Sequence, residues 1–289
     1  SELARARLIN TVDELLKTLN PKQREAVLTT EGPVLILAGP GSGKTKTITS
    51  RIAYLLQKGV RPENIVAITF TNKAAEEMRN RISFLISHSS FDIRHLFIGT
   101  FHSLALRLLR AHAGKLGYLP NFTIFDDDDS LALVKEVMKE LNINPKQFPA
   151  GLLLNSISRL KAELTTPEKF LQDPSISEFF PKTLHKVYRG YQEQLRKSSA
   201  MDFDDLILNV CLLFDKSPEI LNTYQRIFRY VCVDEYQDVN QAQYVFIRSL
   251  AKEHGNLAVV GDDAQAIYGF RGADFRNILK FEKDYPGVT

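Results

Sequence analysis

VLILAGPGSGKT, at residues 34–45, is the stretch that decides the fold. Its first four residues are apolar, with β-branched side chains at Val34 and Ile36, which predicts a buried strand. A glycine-rich turn follows. A helix is predicted after the turn, because apolar residues recur at helical spacing over residues 48–56. Strand, glycine loop and helix in this order separate a phosphate-binding loop from a chance cluster of glycines.

The side chains of this loop suit a phosphate ligand. Glycines let backbone N–H groups converge on an anion at the positive end of a helix. Lys44 can reach the β- and γ-phosphates, and the Thr45 hydroxyl can hold Mg²⁺. Ala38 stands where the general pattern has glycine, and it is small enough for a tight turn. The alternative is a glycine-rich connection without chemistry, but the Gly-Lys-Thr ending favours a nucleoside-triphosphate site. The predicted loop contacts are Ala38, Gly39, Pro40, Gly41, Ser42, Gly43, Lys44 and Thr45.

Composition sets broad limits on the protein. A chain of 289 residues suits about two domains. With 44% hydrophobic and 25% charged residues it is typical of a soluble globular protein, and its net charge of +3 permits a nucleic-acid partner without requiring one. Cys211 and Cys232 lie in apolar runs without metal-ligand spacing, which favours buried thiols in a reducing compartment. No apolar run approaches the roughly 20 residues of a membrane span, and no signal peptide is evident. We therefore expect a cytoplasmic protein without a membrane partner.

The remaining segments indicate a parallel sheet with an insertion. Strands are predicted at 65–70 and 95–100, each followed by a helix, which is typical of an α/β sheet. From about residue 109 to 200 helical periodicity dominates. Apolar strands then resume at 230–235 and 257–262 and end in acidic residues, where open α/β sheets place their ligands. The predicted fold class is α/β, with a parallel sheet and an inserted all-helical subdomain.

Two acidic runs invite a metal-site interpretation but fit helix capping better. Asp126–Asp129 falls at a predicted helix start, where carboxylates favour the helix dipole. The run that begins at Asp202 has an acidic residue three positions on, at Asp205, as in a capping box. We therefore predict helix N-termini at both places and no metal site.

A second set of residues complements the phosphate loop. Asp234 and Glu235 end a hydrophobic strand, as in a Walker-B element, where one carboxylate serves Mg²⁺ and the next orients or deprotonates water. Gln265 lies just beyond the next strand and is a candidate sensor of the γ-phosphate, with a plain loop glutamine as the alternative. Gln23 lies one turn into a helix that begins at Asn20 and Pro21. It is either a solvated glutamine or an amide that pairs with adenine.

Seven stretches resemble, in the same order, the N-terminal portion of the UvrD/PcrA/Rep-type superfamily 1 DNA helicases. They are LNPKQREAV (19–27), AGPGSGKT (38–45), TFTNKAAEEM (69–78), GTFHSLALRLLR (99–110), MDFDDLI (201–207), VDEYQD (233–238) and GDDAQAIYGFRGAD (261–274). Seven elements in family order exceed what convergence would give. The resemblance implies a P-loop RecA-like domain 1A, formed by residues 1–108 and 201–289, and a helical domain 1B at 109–200.

The resemblance also implies roles at the phosphates. Lys44 and Thr45 would hold phosphate and Mg²⁺, Asp234 would coordinate the metal through its shell, and Glu235 would activate water. Gln265 would couple the γ-phosphate to bound DNA. Lys44, Glu235 and Gln265 are thus the predicted catalytic residues, with Thr45 and Asp234 at the metal.

On the base side, the resemblance implies that Gln23 contacts adenine. Lys46 stands where the best-known relatives have an arginine that stacks on adenine. A lysine keeps the charge but loses the flat stacking surface. ATP is therefore the expected nucleotide.

The resemblance further implies contacts with single-stranded DNA from residues at the strand ends. Aromatic faces stack bases without reading sequence, and arginine adds charge and cation–π contact. Phe270 stands where relatives usually have tryptophan, which gives a smaller stacking surface. The predicted DNA contacts are Phe70, Thr71, Asn72, His102, Tyr268, Phe270 and Arg271.

The function implied is an ATP-driven DNA helicase or translocase that moves on single-stranded DNA, with single/double-strand junctions as further substrates, in repair or replication. Relatives continue into a second motor domain that supplies arginines to the γ-phosphate. We therefore expect residues 1–289 to bind ATP and DNA but to hydrolyse ATP poorly. Two alternatives are a P-loop ATPase or kinase with another substrate and a non-catalytic DNA-binding module.

Overall fold

The computed structural model describes residues 14–87, 92–262 and 281–289. They form two compact units. The first is built from the described parts of residues 1–101, 219–239 and 247–289, and the second from 102–218 and 240–246. The domain limits at 108/109 and 200/201 stay a prediction. Four predicted site residues lie outside the described residues: Gln265, Tyr268, Phe270 and Arg271.

The strands fall into two parallel sheets. In chain order they are β1 (Val34–Leu37), β2 (Ile65–Thr69), β3 (Phe97–Thr100), β4 (Thr123–Phe125), β5 (Ala200–Asp202), β6 (Tyr230–Val233) and β7 (Leu257–Gly261). The five-stranded sheet of the first unit has the order β1-β7-β6-β2-β3. All of its strand pairs are parallel, which confirms the predicted α/β class.

This order brings distant segments of the chain together. β6 and β7 pair between β1 and β2, with Leu37 of β1 opposite Gly261 of β7. Because the strands are parallel, the carboxyl ends of β1, β6 and β7 lie at one edge of the sheet. The residues after those three ends are the phosphate loop and the two acidic segments.

The remaining regular elements of the described residues are mainly α-helices. They are α1 (Pro21–Leu28), α2 (Lys44–Gln57), α3 (Asn72–Leu85), α4 (Phe101–His112), α5 (Asp127–Glu140), α6 (Ala150–Ala162), α7 (Pro167–Phe170), α8 (Phe179–Lys197), α9 (Phe203–Lys216), α10 (Pro218–Ile227) and α11 (Gln241–Ala251). In the described ranges, every helix is too short or too polar to cross a membrane.

The core of the first unit holds the phosphate-loop helix in place. Ile48 and Ile52 of α2 are fully buried and pack with the buried residues of β2 and β7. Burial of apolar area contributes about 25 cal/mol per Å², so this packing fixes α2 against the sheet. The rigid sheet and helix then hold the loop between them.

Helix termini follow the predicted capping chemistry. The Asn20 side chain accepts from the backbone N–H of Gln23, whose own side chain accepts from the Asn20 N–H, and Pro21 begins α1. Thr71 caps α3 by accepting from the Ala74 N–H at 3.1 Å. Asp126 caps α5 in a capping box, which confirms that this acidic run starts a helix.

The third strand begins later than its sequence predicts. The expected strand covers 95–100, but β3 starts at Phe97, after a single 3₁₀ turn at Ile93–His95. Asp92 is the physical reason, because its carboxylate accepts from the backbone N–H of Arg94 at 3.0 Å. This bond turns the chain just before it enters the sheet.

The second unit is mainly helical, with a core shared by α5, α6 and α8. The structure adds a pair of short parallel strands, β4 and β5, that are not predicted from the sequence. Three-residue strands carry too little alternation to be recognised. β5 leads into α9, and Asp202 forms the predicted capping box with Asp205 there.

A buried ion cluster lies at that helix start. Lys161 of α6, 1% exposed, contacts Asp202 at 2.6 Å and Asp205 at 2.9 Å. The hydroxyl of Tyr191 donates to Asp202 at 2.8 Å. Burial raises the pKa of Asp205 to about 6. Burial also opposes ionisation of Asp202, but the Lys161 ammonium holds the pKa of that carboxyl below its usual value. The cluster ties α6 to α9.

Candidate nucleotide-binding site

The loop after β1 has the backbone of a phosphate cradle. Gly41 and Gly43 adopt φ values of +74° and +84°, a region where glycine is strongly preferred. Gly43 is the N-cap of α2 and supplies no side-chain cap, so its helix opens with N–H groups available to an anion. Lys44 and Thr45 are the first two residues of that helix.

Lys44 points to the carboxyl edge of the sheet. Its Nζ lies 3.0 Å from Oδ2 of Asp262, which follows β7 and is fully buried. The same ammonium is 3.8 Å from Oε2 of Glu235. Two carboxylates thus hold the lysine at the end of the phosphate loop, where an incoming polyphosphate would compete for it.

The Thr45 hydroxyl donates to Oδ2 of Asp234 at 3.3 Å. Burial, followed by the neighbouring charge of Glu235, raises the pKa of Asp234. Hydroxyl and carboxylate oxygens are ligands that Mg²⁺ accepts, and Mg²⁺ commonly takes one or two protein ligands beside substrate phosphates. Thr45 and Asp234 fit that pattern.

Glu235 has a strained backbone. Its φ of +52° places a non-glycine residue in the left-handed region, which costs on the order of 1–3 kcal/mol and often marks a functional position. Its N–H donates to Oδ1 of Asp234 at 3.0 Å. The strain turns the chain sharply after β6 and directs two successive carboxylates to the same edge.

Gln23 joins α1 to the phosphate loop. Its Nε2 donates to the carbonyl oxygen of Ser42 at 2.8 Å, and a Cβ added at Gly43 would lie 3.0 Å from the same Nε2. Lys46 is exposed, and its Nζ donates to the carbonyl of Thr18 at 2.7 Å. The structure therefore places both predicted base contacts beside the loop, and their roles toward adenine stay predictions.

A cavity of about 270 Å³ lies over the loop and is lined by Gly41, Gly43, Lys44, Thr45, Lys46 and Arg81. Arg81, from the exposed side of α3, is a cation that the sequence motifs do not include. No local pattern signals it, since it becomes a neighbour of the loop only when α3 packs beside α2. Its charge adds to the positive potential that an anionic ligand meets.

The predicted DNA contacts in the first unit follow β2. The half-buried ring of Phe70 lies 5.5 Å from the buried ring of Phe101, centroid to centroid. Thr71 and Asn72 are exposed at the start of α3. Phe70 thus has a packed side and a partly accessible side, as a base-stacking residue requires.

In the second unit His102 meets an aromatic ring. Its imidazole is edge-on to Phe203, with 6.2 Å between ring centroids, and Phe203 is 48% exposed. Burial lowers the pKa of His102, which favours the neutral imidazole. In the sequence, Phe203 lies in the capping run and in the MDFDDLI stretch without a predicted contact. In the structure its exposed ring lies beside His102.

The family of the chain is shown by its similarity to known proteins. The sequence profile of the UvrD/REP helicase N-terminal domain matches residues 19–286. The chain belongs to this family. The resemblance found in the seven motifs is thereby confirmed.

Curated relatives of this UvrD/REP chain include the ATP-dependent DNA helicases PcrA of three bacteria. That of Bacillus subtilis (strain 168) is 49% identical over 278 residues, which is 96% of this chain and 37% of the relative. That of Staphylococcus epidermidis (strain RP62A) is 49% identical over 276 residues, or 95% and 37%. That of Staphylococcus aureus (strain NCTC 8325) is 48% identical over 276 residues, again 95% and 37%. The chain thus spans about 37% of the length of these relatives.

Two further residues of this UvrD/REP site are absent from the residues predicted from sequence. Asp262 has a usable signal, because it ends an apolar strand at the ligand edge of the sheet. Gln237 lies in the VDEYQD stretch, but its role cannot be seen there, because its side chain reaches both Glu235 and the backbone of Asp262 only in the folded chain. Gln237 and Asp262 are 25 positions apart, so the sequence around either one does not predict that they form a hydrogen bond.

Proposed function

We propose that this chain binds ATP with Mg²⁺ and forms the nucleotide-binding part of a DNA helicase or translocase motor. The observation that carries the proposal is the meeting of Lys44 and Thr45 with Asp234, Glu235 and Asp262 at one sheet edge. Cation, hydroxyl and carboxylates in this arrangement suit phosphoryl transfer. Family membership and the PcrA relatives, which are ATP-dependent DNA helicases by name, support the same proposal.

In the proposed reaction each side chain has one task. Loop N–H groups and Lys44 would bind the β- and γ-phosphates, and Thr45 and Asp234 would hold Mg²⁺. Bound Mg²⁺ supplies charge neutralisation at the phosphate oxygens. Glu235 orients a water molecule, and the oxygen of that water attacks the γ-phosphorus. Glu235 accepts the proton of the water. The bond between the γ-phosphorus and the β–γ bridging oxygen breaks, and ADP and phosphate leave. Gln265 is proposed as the γ-phosphate sensor, and Gln23 and Lys46 as contacts of adenine.

Hydrolysis by residues 1–289 alone is expected to be slow. An arginine that stabilises charge on the γ-phosphoryl group is worth on the order of 10³–10⁵ in rate. Among the described residues that line the loop cavity, Arg81 is the one arginine, and Glu235 does not belong to that lining. Slow turnover with intact ATP binding is therefore the proposed behaviour of this polypeptide.

Single-stranded DNA is the proposed second ligand. Phe70, Thr71 and Asn72 in the first unit and His102 with Phe203 in the second are proposed to contact it, together with Tyr268, Phe270 and Arg271. Binding through stacking and a few cations is independent of sequence and sensitive to salt. Junctions of single and double strands are proposed as further substrates.

Replacement of Phe70 by alanine tests the DNA proposal. Stacking on an aromatic side chain is worth roughly 1–3 kcal/mol per base, so Phe70→Ala is expected to weaken binding of a fluorescent single-stranded oligonucleotide by about 5- to 150-fold. Fluorescence anisotropy measures the Kd at fixed salt. The nucleotide Kd is expected to stay unchanged, because Phe70 lies outside the phosphate-loop cavity.

Phe84→Ala is the matched control, since Phe84 is a phenylalanine of the same unit that is 78% exposed and has no proposed ligand. It is expected to leave DNA binding intact. Equal Kd values for wild type and a folded Phe70→Ala protein would rule out stacking on Phe70. ATPase activity that is indifferent to single-stranded DNA in a longer chain would favour another P-loop enzyme instead.

A further inference from the structure

Gln237 is a buried polar residue at the centre of the acidic edge. It lies two positions after Glu235, in the 3₁₀ turn Tyr236–Asp238, and is 2% exposed. Its Oε1 accepts the backbone N–H of Asp262 at 2.9 Å, and its Nε2 donates to Oε2 of Glu235 at 2.7 Å. Both ends of one amide are therefore used.

The orientation of this amide follows from its partners. A backbone N–H can only donate, so the atom that faces Asp262 is the oxygen. The NH₂ group then faces Glu235, whose carboxylate can only accept when ionised. A glutamine thus satisfies an N–H on one side and a carboxylate on the other without itself carrying a charge.

The contact also involves the oxygen of Glu235 that faces Lys44. The Oε2 atom that accepts from Gln237 is 3.8 Å from Nζ of Lys44, beyond a direct hydrogen bond. Lys44 instead lies 3.0 Å from Asp262. Without the amide, the carboxylate of Glu235 would lose the side-chain hydrogen bond that fixes its rotamer in the described part of the chain.

We propose that Gln237 is a positioning residue for ATP hydrolysis, which holds the carboxylate of Glu235 and ties it to the end of β7. The proposal rests on the proposed role of Glu235 toward water. Because Asp262 directly follows β7, the amide links the proposed base to the end of that strand. Gln237 contacts neither nucleotide nor metal in this scheme and acts only through Glu235.

The test uses two substitutions in the 289-residue chain. Gln237→Met keeps the approximate volume and removes both hydrogen bonds. Gln237→Glu keeps an acceptor for Asp262 but places a second carboxylate against Glu235. Single-turnover hydrolysis, with protein in excess over radiolabelled ATP, is followed for hours, since a wild-type rate on the order of 10⁻⁴ s⁻¹ is expected without an arginine finger. Both variants are expected to be about 10- to 100-fold slower, as for a misplaced catalytic group.

The affinity for nucleotide distinguishes a positioning role of Gln237 from a general loss of folded structure. Both variants are expected to bind fluorescent ATP with the wild-type Kd, because the phosphate loop is unchanged. The control is Gln225→Met, another buried glutamine of the same unit, whose Nε2 donates to the carbonyl of Ser249 at 2.8 Å. It is expected to lose similar stability and keep the wild-type rate.

The comparison with Glu235→Gln distinguishes a failure of the positioning role from a failure of the proposed function. If Glu235→Gln is inactive but both Gln237 variants hydrolyse ATP at the wild-type rate, the positioning role is wrong and the proposed function stands. If Glu235→Gln hydrolyses ATP like wild type, the role of Glu235 fails and the inference fails with it. Should Gln237→Met not fold, Gln237→Glu decides, because it retains the bond to Asp262.

Discussion

At the scale of single residues, Gly41 and Gly43 share a backbone conformation but lie in different surroundings. Gly43 has φ near +84°, and the space above its Cα is taken by the amide of Gln23. Gly41 has a similar φ of +74°, but nothing lies within 4 Å of a Cβ added there. The two glycines therefore share a conformation and differ in their neighbour.

This difference predicts separate effects for two alanine variants. Left-handed backbone costs an alanine roughly 1–2 kcal/mol, so Gly41→Ala and Gly43→Ala are both expected to lose about that much unfolding free energy. Only Gly43→Ala displaces Gln23, so it alone is expected to reduce the preference for ATP over GTP. Denaturant unfolding and competition with fluorescent ATP give the two quantities. An unchanged base preference in Gly43→Ala would contradict the role of Gln23 toward adenine.

Site residues can be predicted from the sequence where they lie within a short contiguous motif. Motifs predict Lys44, Thr45, Asp234 and Glu235, and the structure brings these four together, while their roles stay predictions. The contact of Gln237 with Asp262 and the place of Arg81 at the loop cavity cannot be predicted this way, because each depends on a neighbour that is distant in the chain. The left-handed backbone of Glu235 also has no signature in composition.

At the scale of elements, the start of α9 shows one sequence feature with two structural roles. Asp202 and Asp205 form the predicted capping box, and the same carboxylates bury the ammonium of Lys161 from α6. Capping is local and therefore visible in the sequence. The ion cluster joins residues 41 positions apart, so only the fold reveals it.

Removal of Lys161 is expected to make stability depend strongly on pH. Lys161→Met leaves two buried carboxylates without a cation, which costs about 3–5 kcal/mol near neutral pH. In the folded variant the pKa values of Asp202 and Asp205 then rise above their values in the unfolded chain. The free energy of unfolding therefore falls as the pH rises from the unfolded to the folded pKa values, and it increases again as the pH is lowered. Urea unfolding at several pH values measures this slope. Wild type has a smaller slope, because the pKa of Asp202 is lowered while that of Asp205 is raised.

Lys182→Met is the control for this prediction, because Lys182 is an exposed lysine of the same unit. It is expected to unfold like wild type at every pH. A Lys161→Met variant that is equally stable at acidic and neutral pH would show that its loss comes from packing alone and that the charges contribute nothing.

At the scale of the whole molecule, the strand order decides where the chemistry lies. A parallel sheet is predictable from alternating strands and helices, as is a mainly helical segment. The order β1-β7-β6-β2-β3 is not predictable in the same way, because the pairing of β1 with β7 joins segments more than 200 residues apart. That pairing places Asp262 beside Lys44. The strand order therefore brings together the charged residues that define the site.

The same cluster changes how Lys44 should be tested. Lys44→Ala leaves the fully buried Asp262 without its cation, so some loss of stability is expected beside the loss of ligand binding. The double variant Lys44→Ala/Asp262→Asn removes the buried charge as well. Lys58→Ala, an exposed lysine at the far end of α2, serves as the control.

Equilibrium titration of a fluorescent ATP analogue with Mg²⁺ tests the central claim most directly. A hydrogen bond to a charged group is worth about 1.5–3 kcal/mol, so the Kd is expected to rise about 10- to 150-fold in Lys44→Ala and in the double variant. Lys58→Ala is expected to bind like wild type. Wild-type affinity in a folded Lys44→Ala protein would contradict the assignment of this sheet edge as the ATP site.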